Sequence, residues 1–160
     1  AEELFKDKAD KFLSFEENKK QTPEGFSPVS GIEYQRKASI FIKKNKGCNQ
    51  NSYYYRFDAD IPGWDKPGTF HSCDLWFFFE TLAKCWRPFD GRHYDLARQI
   101  SSYFVNFIKT GNPNGNDSNG NELPKWQAYT EENRYEMNFK TKGASGGNTE
   151  TARMRFLLER

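Results

Sequence analysis

Two histidines, three cysteines and a scatter of carboxylates are the groups in this 160-residue chain whose types could carry a reaction. His71 has the most suggestive setting. It follows an aromatic run, Ser52-Tyr53-Tyr54-Tyr55-Arg56-Phe57, and a loop punctuated by Pro62, Gly63, Pro67 and Gly68. The run reads as a strand, and the prolines and glycines after it rule out a regular element. His71 therefore stands just past the end of a strand, where open α/β sheets usually hold their ligand chemistry, and a free imidazole titrates near neutral pH, as proton transfer requires. Cys73 could be a thiol nucleophile, although a hydrophobic filler is the plainer reading. His93, beside Arg92, reads as a surface residue. Asp58, Asp60 and Asp65 share the loop without a recognised calcium spacing and read as solvated turn carboxylates. Cys48, Cys73 and Cys85 are odd in number and form no C-x-x-C pair, so they describe neither a disulfide framework nor a zinc site, and the compartment stays open.

The elements that must position His71 follow from periodicity. Leu4, Phe5, Ala9, Phe12 and Leu13 mark one face of a first helix, closed before Pro23 and Gly25. Ser30-Gly31-Ile32-Glu33 reads as a capping box opening a second, with Tyr34, Ala38, Phe41 and Ile42 on one face and Gly47 after its end. The strand over Ser52–Phe57 does not alternate, as expected for one covered on both faces. Leu75, Phe78, Phe79 and Leu82 fit a buried helix. Asp90 can cap a long helix whose apolar face runs through Leu96, Ile100, Tyr103, Phe104, Phe107 and Ile108 to the terminator Gly111. A strand is expected over Arg134–Thr141, then a Gly-rich link, then a last helix from about Thr149 through Phe156 and Leu157.

Composition limits the function classes. One hundred and sixty residues suit a single domain, and a net charge of +2 without a basic stripe argues against nucleic acid as a partner. No apolar run approaches the roughly 20 residues that span a bilayer, so no membrane partner is expected, and the first residues are no signal peptide. Aromatics reach 17%, which leaves a third class open: a small module binding an aromatic or carbohydrate ligand through Trp64, Trp76, Trp86 and Trp126.

Four stretches in register carry a resemblance: Tyr55-Arg56-Phe57-Asp58; Gly68-Thr69-Phe70-His71-Ser72-Cys73-Asp74-Leu75; Tyr103-Phe104-Val105-Asn106-Phe107-Ile108-Lys109-Thr110-Gly111-Asn112-Pro113-Asn114; and Leu123-Pro124-Lys125-Trp126-Gln127-Ala128-Tyr129. Together they resemble the carboxy-terminal third of type B carboxylesterases, the family of the bacterial para-nitrobenzyl esterases and the cholinesterases. The resemblance implies an α/β class: residues 1–160 form one C-terminal segment of an α/β-hydrolase domain, helix-rich with a few strands and an incomplete central sheet. It further implies that His71 is the general base of a Ser, Glu, His triad acting on a small-molecule ester, without cofactor or metal. Asp74 stands where the family usually has Glu and carries over as a supporting carboxylate. Phe104 stands where the family often has Trp.

In α/β hydrolases the nucleophile and acid precede the histidine, and no G-x-S-x-G elbow precedes His71. Gly143-Ala144-Ser145-Gly146-Gly147 matches that pattern but follows the histidine and reads as a linker. The expectation is a C-terminal fragment of a serine ester hydrolase, inactive alone, whose aromatic surfaces seek the N-terminal remainder of the same protein or another copy. A non-catalytic adhesion protein of the neuroligin kind is the alternative within the fold.

Overall fold

The computed structural model describes residues 2–15, 47, 50–148 and 151–158. The chain falls into two compact units, Ala1–Asn49 with Thr149–Arg160, and Gln50–Asn148. The expected helix after Ser30, and Cys48, lie outside the described residues.

In the first unit, α1 (Glu2–Phe5), a 3₁₀ turn over Lys6–Lys8 and α2 (Ala9–Leu13) replace the single helix expected. Lys6 takes a φ of 48°, which interrupts the regular α-helical path. Phe5, Ala9 and Phe12 are buried together with Phe156 and Leu157 of the terminal helix, while Leu13 is exposed. Phe5 and Phe12 stack with ring centroids 4.1 Å apart.

The second unit carries β1 (Tyr54–Phe57), α3 (Leu75–Phe78), a 3₁₀ turn at Leu82–Lys84, α4 (Gly91–Thr110), β2 (Glu136–Lys140) and β3 (Gly143–Gly147); α5 (Ala152–Leu158) belongs to the first. The three strands lie in the order β1-β2-β3, β1 parallel to β2 and β2 antiparallel to β3. Register places Tyr55 beside Met137 and Phe57 beside Phe139, with Gly146 and Ala144 opposite them on β3. Since side chains alternate between faces, this row forms the face that packs on α3 and α4 with Phe77, Leu82, Leu96, Ile100 and Tyr103. Burying each large apolar side chain there contributes on the order of 1.5–3 kcal/mol. Arg56, on the other face, is exposed, so β1 is only partly covered rather than buried on both faces.

Two expectations are corrected. The helix expected through Leu82 stops at Phe78, because Glu80 adopts a φ of 49° and turns the chain out of the helical path. The Gly-rich link is the strand β3, whose backbone pairs with β2 from Lys140↔Gly143 to Glu136↔Gly147. Its glycines admit a close neighbour: a Cβ on Gly146 would overlap the Tyr135 ring, 2.5 Å from Cε1 and nearer still to Cζ and Oη.

Helix α4 is capped as expected. The Asp90 carboxylate accepts from the Arg92 amide at 3.0 Å, and Gly111, at φ 75°, returns its N–H to the Phe107 carbonyl at 2.7 Å. Its apolar face divides, however: Leu96, Ile100 and Tyr103 are buried, whereas Phe104, Phe107 and Ile108 are exposed, Ile108 by 77%.

Candidate active site

Strand β1 ends at Phe57, and the Asp58 amide extends its ladder by donating to the Phe139 carbonyl at 2.9 Å. The chain then leaves the sheet, with Ala59 and Ile61 buried, and returns through an exposed Phe70 to His71. His71 is exposed, in a turn that leads directly into α3. Ser72 takes a φ of 66°, a left-handed conformation uncommon for a residue with a side chain; such conformations concentrate where function fixes the backbone. The Ser72 hydroxyl lies 2.6 Å from His71 Nδ1. When that nitrogen carries the hydrogen, Nε2 presents a lone pair able to accept a proton.

Asp74 sits at the start of α3 and accepts a hydrogen bond of 3.0 Å from the Tyr55 hydroxyl. Burial, and then the charge of Asp74 and its hydrogen bond, push the Tyr55 phenol well above its ordinary pKa, so it stays a donor at any physiological pH. The turn after His71 is thereby tied to the middle of β1. Cys73 is buried, and burial pushes its thiol up, which suits a filler better than a nucleophile.

The loop of 58–70 is tied at several points. Arg87 donates from Nη1 to the Pro62 carbonyl at 3.0 Å and makes a two-pronged pair with Asp65, both bonds 2.9 Å. Its guanidinium also lies 5.6 Å from the Phe70 ring and 4.6 Å from Trp86. The Arg87 hydrogen bond, partly opposed by desolvation, holds the Asp65 carboxylate below its ordinary range. Asp65 is thus an anchoring partner rather than a free turn carboxylate, and among the described residues no group of three His, Cys, Asp or Glu side chains could hold a metal ion.

His93 differs most from the sequence reading. It is 3% exposed, not a surface residue. Its Nδ1 lies 3.1 Å from the Asp90 amide and 2.8 Å from the Asp90 carboxylate Oδ1, and its Nε2 lies 3.0 Å from the Asp60 carbonyl. The signal that could have found it is positional: a capping residue followed three places later by an acceptor is a capping box, and imidazole fills the role usually taken by Glu or Gln.

The other singled-out residues separate from His71. Ser145 is exposed at the centre of β3 opposite Asn138, and α5 begins only at Ala152, so no tight strand-to-helix elbow presents its hydroxyl. Trp126 is buried, its indole N–H donating to the Tyr54 carbonyl at 3.1 Å, and Trp76 is half-buried between Phe70 and Phe89. Trp64 and Trp86 are exposed by 87% and 62%, with centroids 6.3 Å apart. Among the described residues no helix is long and apolar enough to cross a membrane.

Known proteins of similar sequence and structure agree on a family. Carboxylesterase 4A of Bos taurus is 33% identical over 92 residues, a match covering 52% of this chain and 15% of that protein. A structure of PNB esterase is 26% identical with a TM-score of 0.56, covering 66% of this chain and 21% of that one. The Geobacillus stearothermophilus carboxylesterase EST55 is 19% identical with a TM-score of 0.54, a likeness of fold, covering 98% of this chain and 38% of that one. The chain therefore spans between 15% and 38% of the length of these relatives, and its helices and small sheet are part of an α/β-hydrolase fold whose central sheet is incomplete here. The sequence profile of the carboxylesterase family matches residues 3–157. Because that match runs through both compact units and takes in the histidine loop, the chain belongs to the carboxylesterase family.

Proposed function

We propose that the protein containing this chain is a serine carboxylic ester hydrolase, that residues 1–160 are one C-terminal segment of its catalytic domain, and that His71 is the general base. The observation that carries this reading is the exposed His71 turn just beyond a parallel strand, with Ser72 held at φ 66°. In the cycle, His71 Nε2 takes the proton of an upstream serine as it attacks the ester carbonyl, returns it to the departing alcohol, and then activates water to release the acid. An upstream carboxylate takes over the Nδ1–H that Ser72 faces here, and Asp74 acts as a supporting carboxylate that fixes the turn through Tyr55. A base without nucleophile or oxyanion donors cannot run this cycle, so the isolated chain is inactive. The exposed Phe79, Phe107 and Ile108 favour a segment that docks on the N-terminal remainder or, without it, on a second copy.

The test is turnover of an activated acetate ester by the isolated chain and by the intact protein. Hydrolysis confined to the intact protein and unaffected by Ser145→Ala is expected; hydrolysis by the isolated chain that depends on Ser145 contradicts the proposal. A second reading, a module for flat aromatic or carbohydrate ligands, is favoured by the exposed Trp64–Trp86 pair alone. It predicts ligand quenching of tryptophan fluorescence that Trp64→Ala removes.

A further inference from the structure

His93 is a buried polar residue that the hydrolytic cycle leaves unused, and its two ring nitrogens join two parts of the fold. With a hydrogen on Nε2 the ring donates to the Asp60 carbonyl, while Nδ1 meets Asp90 itself, 3.1 Å from its amide and 2.8 Å from its carboxylate Oδ1, so both nitrogens are engaged among the rings of Phe77 and Phe89. Asp60 is the point where the histidine loop leaves the sheet. Its own amide donates to Thr141 Oγ1 at 2.8 Å, just past the end of β2, so both backbone groups of Asp60 are held. The preceding residue, Ala59, is fully buried and accepts from the Thr69 hydroxyl at 3.4 Å. Thr69 stands two residues before His71, so the outgoing and returning arms of the loop meet at the place His93 grips.

We propose that His93 is a positioning residue for the His71 loop: it clamps the Asp60 carbonyl to the start of α4 and thereby fixes where the returning arm delivers the imidazole. The consequence for catalysis rests on the reading of His71 as general base; the clamp itself does not. Truncation removes the donor to Asp60 and leaves that carbonyl beside the first turn of α4 without its side-chain partner. A displacement of about 1 Å at a reacting group can cost roughly 100-fold in rate.

The variants separate a clamp from a mere helix cap. Glutamine can place an amide N–H near the position of Nε2, whereas asparagine reaches only the position of Nδ1 and can serve the Asp90 amide alone. Hydrogen exchange by mass spectrometry on the intact protein, together with kcat and KM on an activated acetate ester, reads the difference. In His93→Ala the 59–71 amides are expected to exchange at least tenfold faster, by the loss of one anchoring bond, while the middle of α4 is unchanged. In the same variant kcat is expected to fall about 100-fold with KM nearly constant. His93→Gln should restore most of both effects, and His93→Asn should not. The proposal is overturned by loop exchange that does not change, by exchange that rises uniformly over the protein, or by recovery with Asn but not Gln. Exchange is read without turnover, so a failure of the esterase reading, seen as full activity in His71→Ala, is told apart from a failure of the clamp.

Discussion

Gly146→Ala is the sharpest test of the packing that holds β3 against the core. The added Cβ would lie 2.5 Å from Tyr135 Cε1 and closer still to Cζ and Oη, overlapping the hydroxyl end of a rigid ring. Tyr135 cannot simply swing away, since it is 8% exposed and its hydroxyl donates to the Lys125 carbonyl at 2.7 Å. Nor can β3 easily retreat, since Met137↔Gly146 lies within a continuous antiparallel ladder. Overpacking costs about 1–3 kcal/mol, and losing the hydroxyl's partly buried bond to the Lys125 carbonyl adds about 1 kcal/mol, so the expected loss is about 2–4 kcal/mol. Urea unfolding of the intact protein, with and without Tyr135→Ala, measures it. The two substitutions should be strongly non-additive, because the second removes the ring that the first strikes. A Gly146→Ala loss below about 0.5 kcal/mol, the level of an ordinary surface change, or simple additivity, refutes the close approach of Tyr135 to β3.

Two further outcomes follow from the same structure. Burial alone would raise the Asp117 pKa, but the Asn121 amide and side chain, Arg98 and the Asn119 amide outweigh it and hold the carboxylate below its ordinary range. A carboxylate whose folded pKa is depressed stabilises the protein above its unfolded value, about pH 4, and loses that contribution as pH falls through the folded value. Asp117→Asn should therefore flatten the acid limb of a stability profile below about pH 4, and an unchanged limb counts against the Arg98–Asp117 network. Ile108→Lys on α4 combined with Phe79→Lys just after α3 should lower the average mass of the isolated chain in sedimentation, and an unaltered mass contradicts self-association through these exposed side chains.

What could be read from the sequence was mostly local. Helix α4 was legible from Asp90 through Gly111, because a capping carboxylate and a left-handed glycine punctuate it and Leu96, Ile100 and Tyr103 repeat at helical spacing. The strand before His71 and the turn carrying it were legible for the same reason, and the family was legible because four stretches keep their order. What failed was information held between distant residues. Strand β3 has almost no side chains to pattern, so its conformation comes from pairing with β2 and from the Tyr135 ring above Gly146. His93 was misplaced because its burial depends on the Asp60 carbonyl, 33 residues away. The break after Phe78 came at Glu80, where no glycine or proline marks the left-handed turn. The apolar face of α4 was legible but its division was not: Phe107, which meets the Tyr53 ring edge-on, and Ile108 stay exposed while Leu96, Ile100 and Tyr103 are buried.

The central claim is that His71 carries the proton of an ester hydrolase, and steady-state hydrolysis of an activated acetate ester by the intact protein bearing His71→Ala tests it most directly. With the exposed imidazole removed and the fold verified by an unchanged unfolding midpoint, kcat is expected to fall by about four orders of magnitude or more, as when a member of a nucleophile–base pair is lost. A kcat within about tenfold of the unmodified protein, less than the roughly 100-fold minimum expected of a general base, contradicts it.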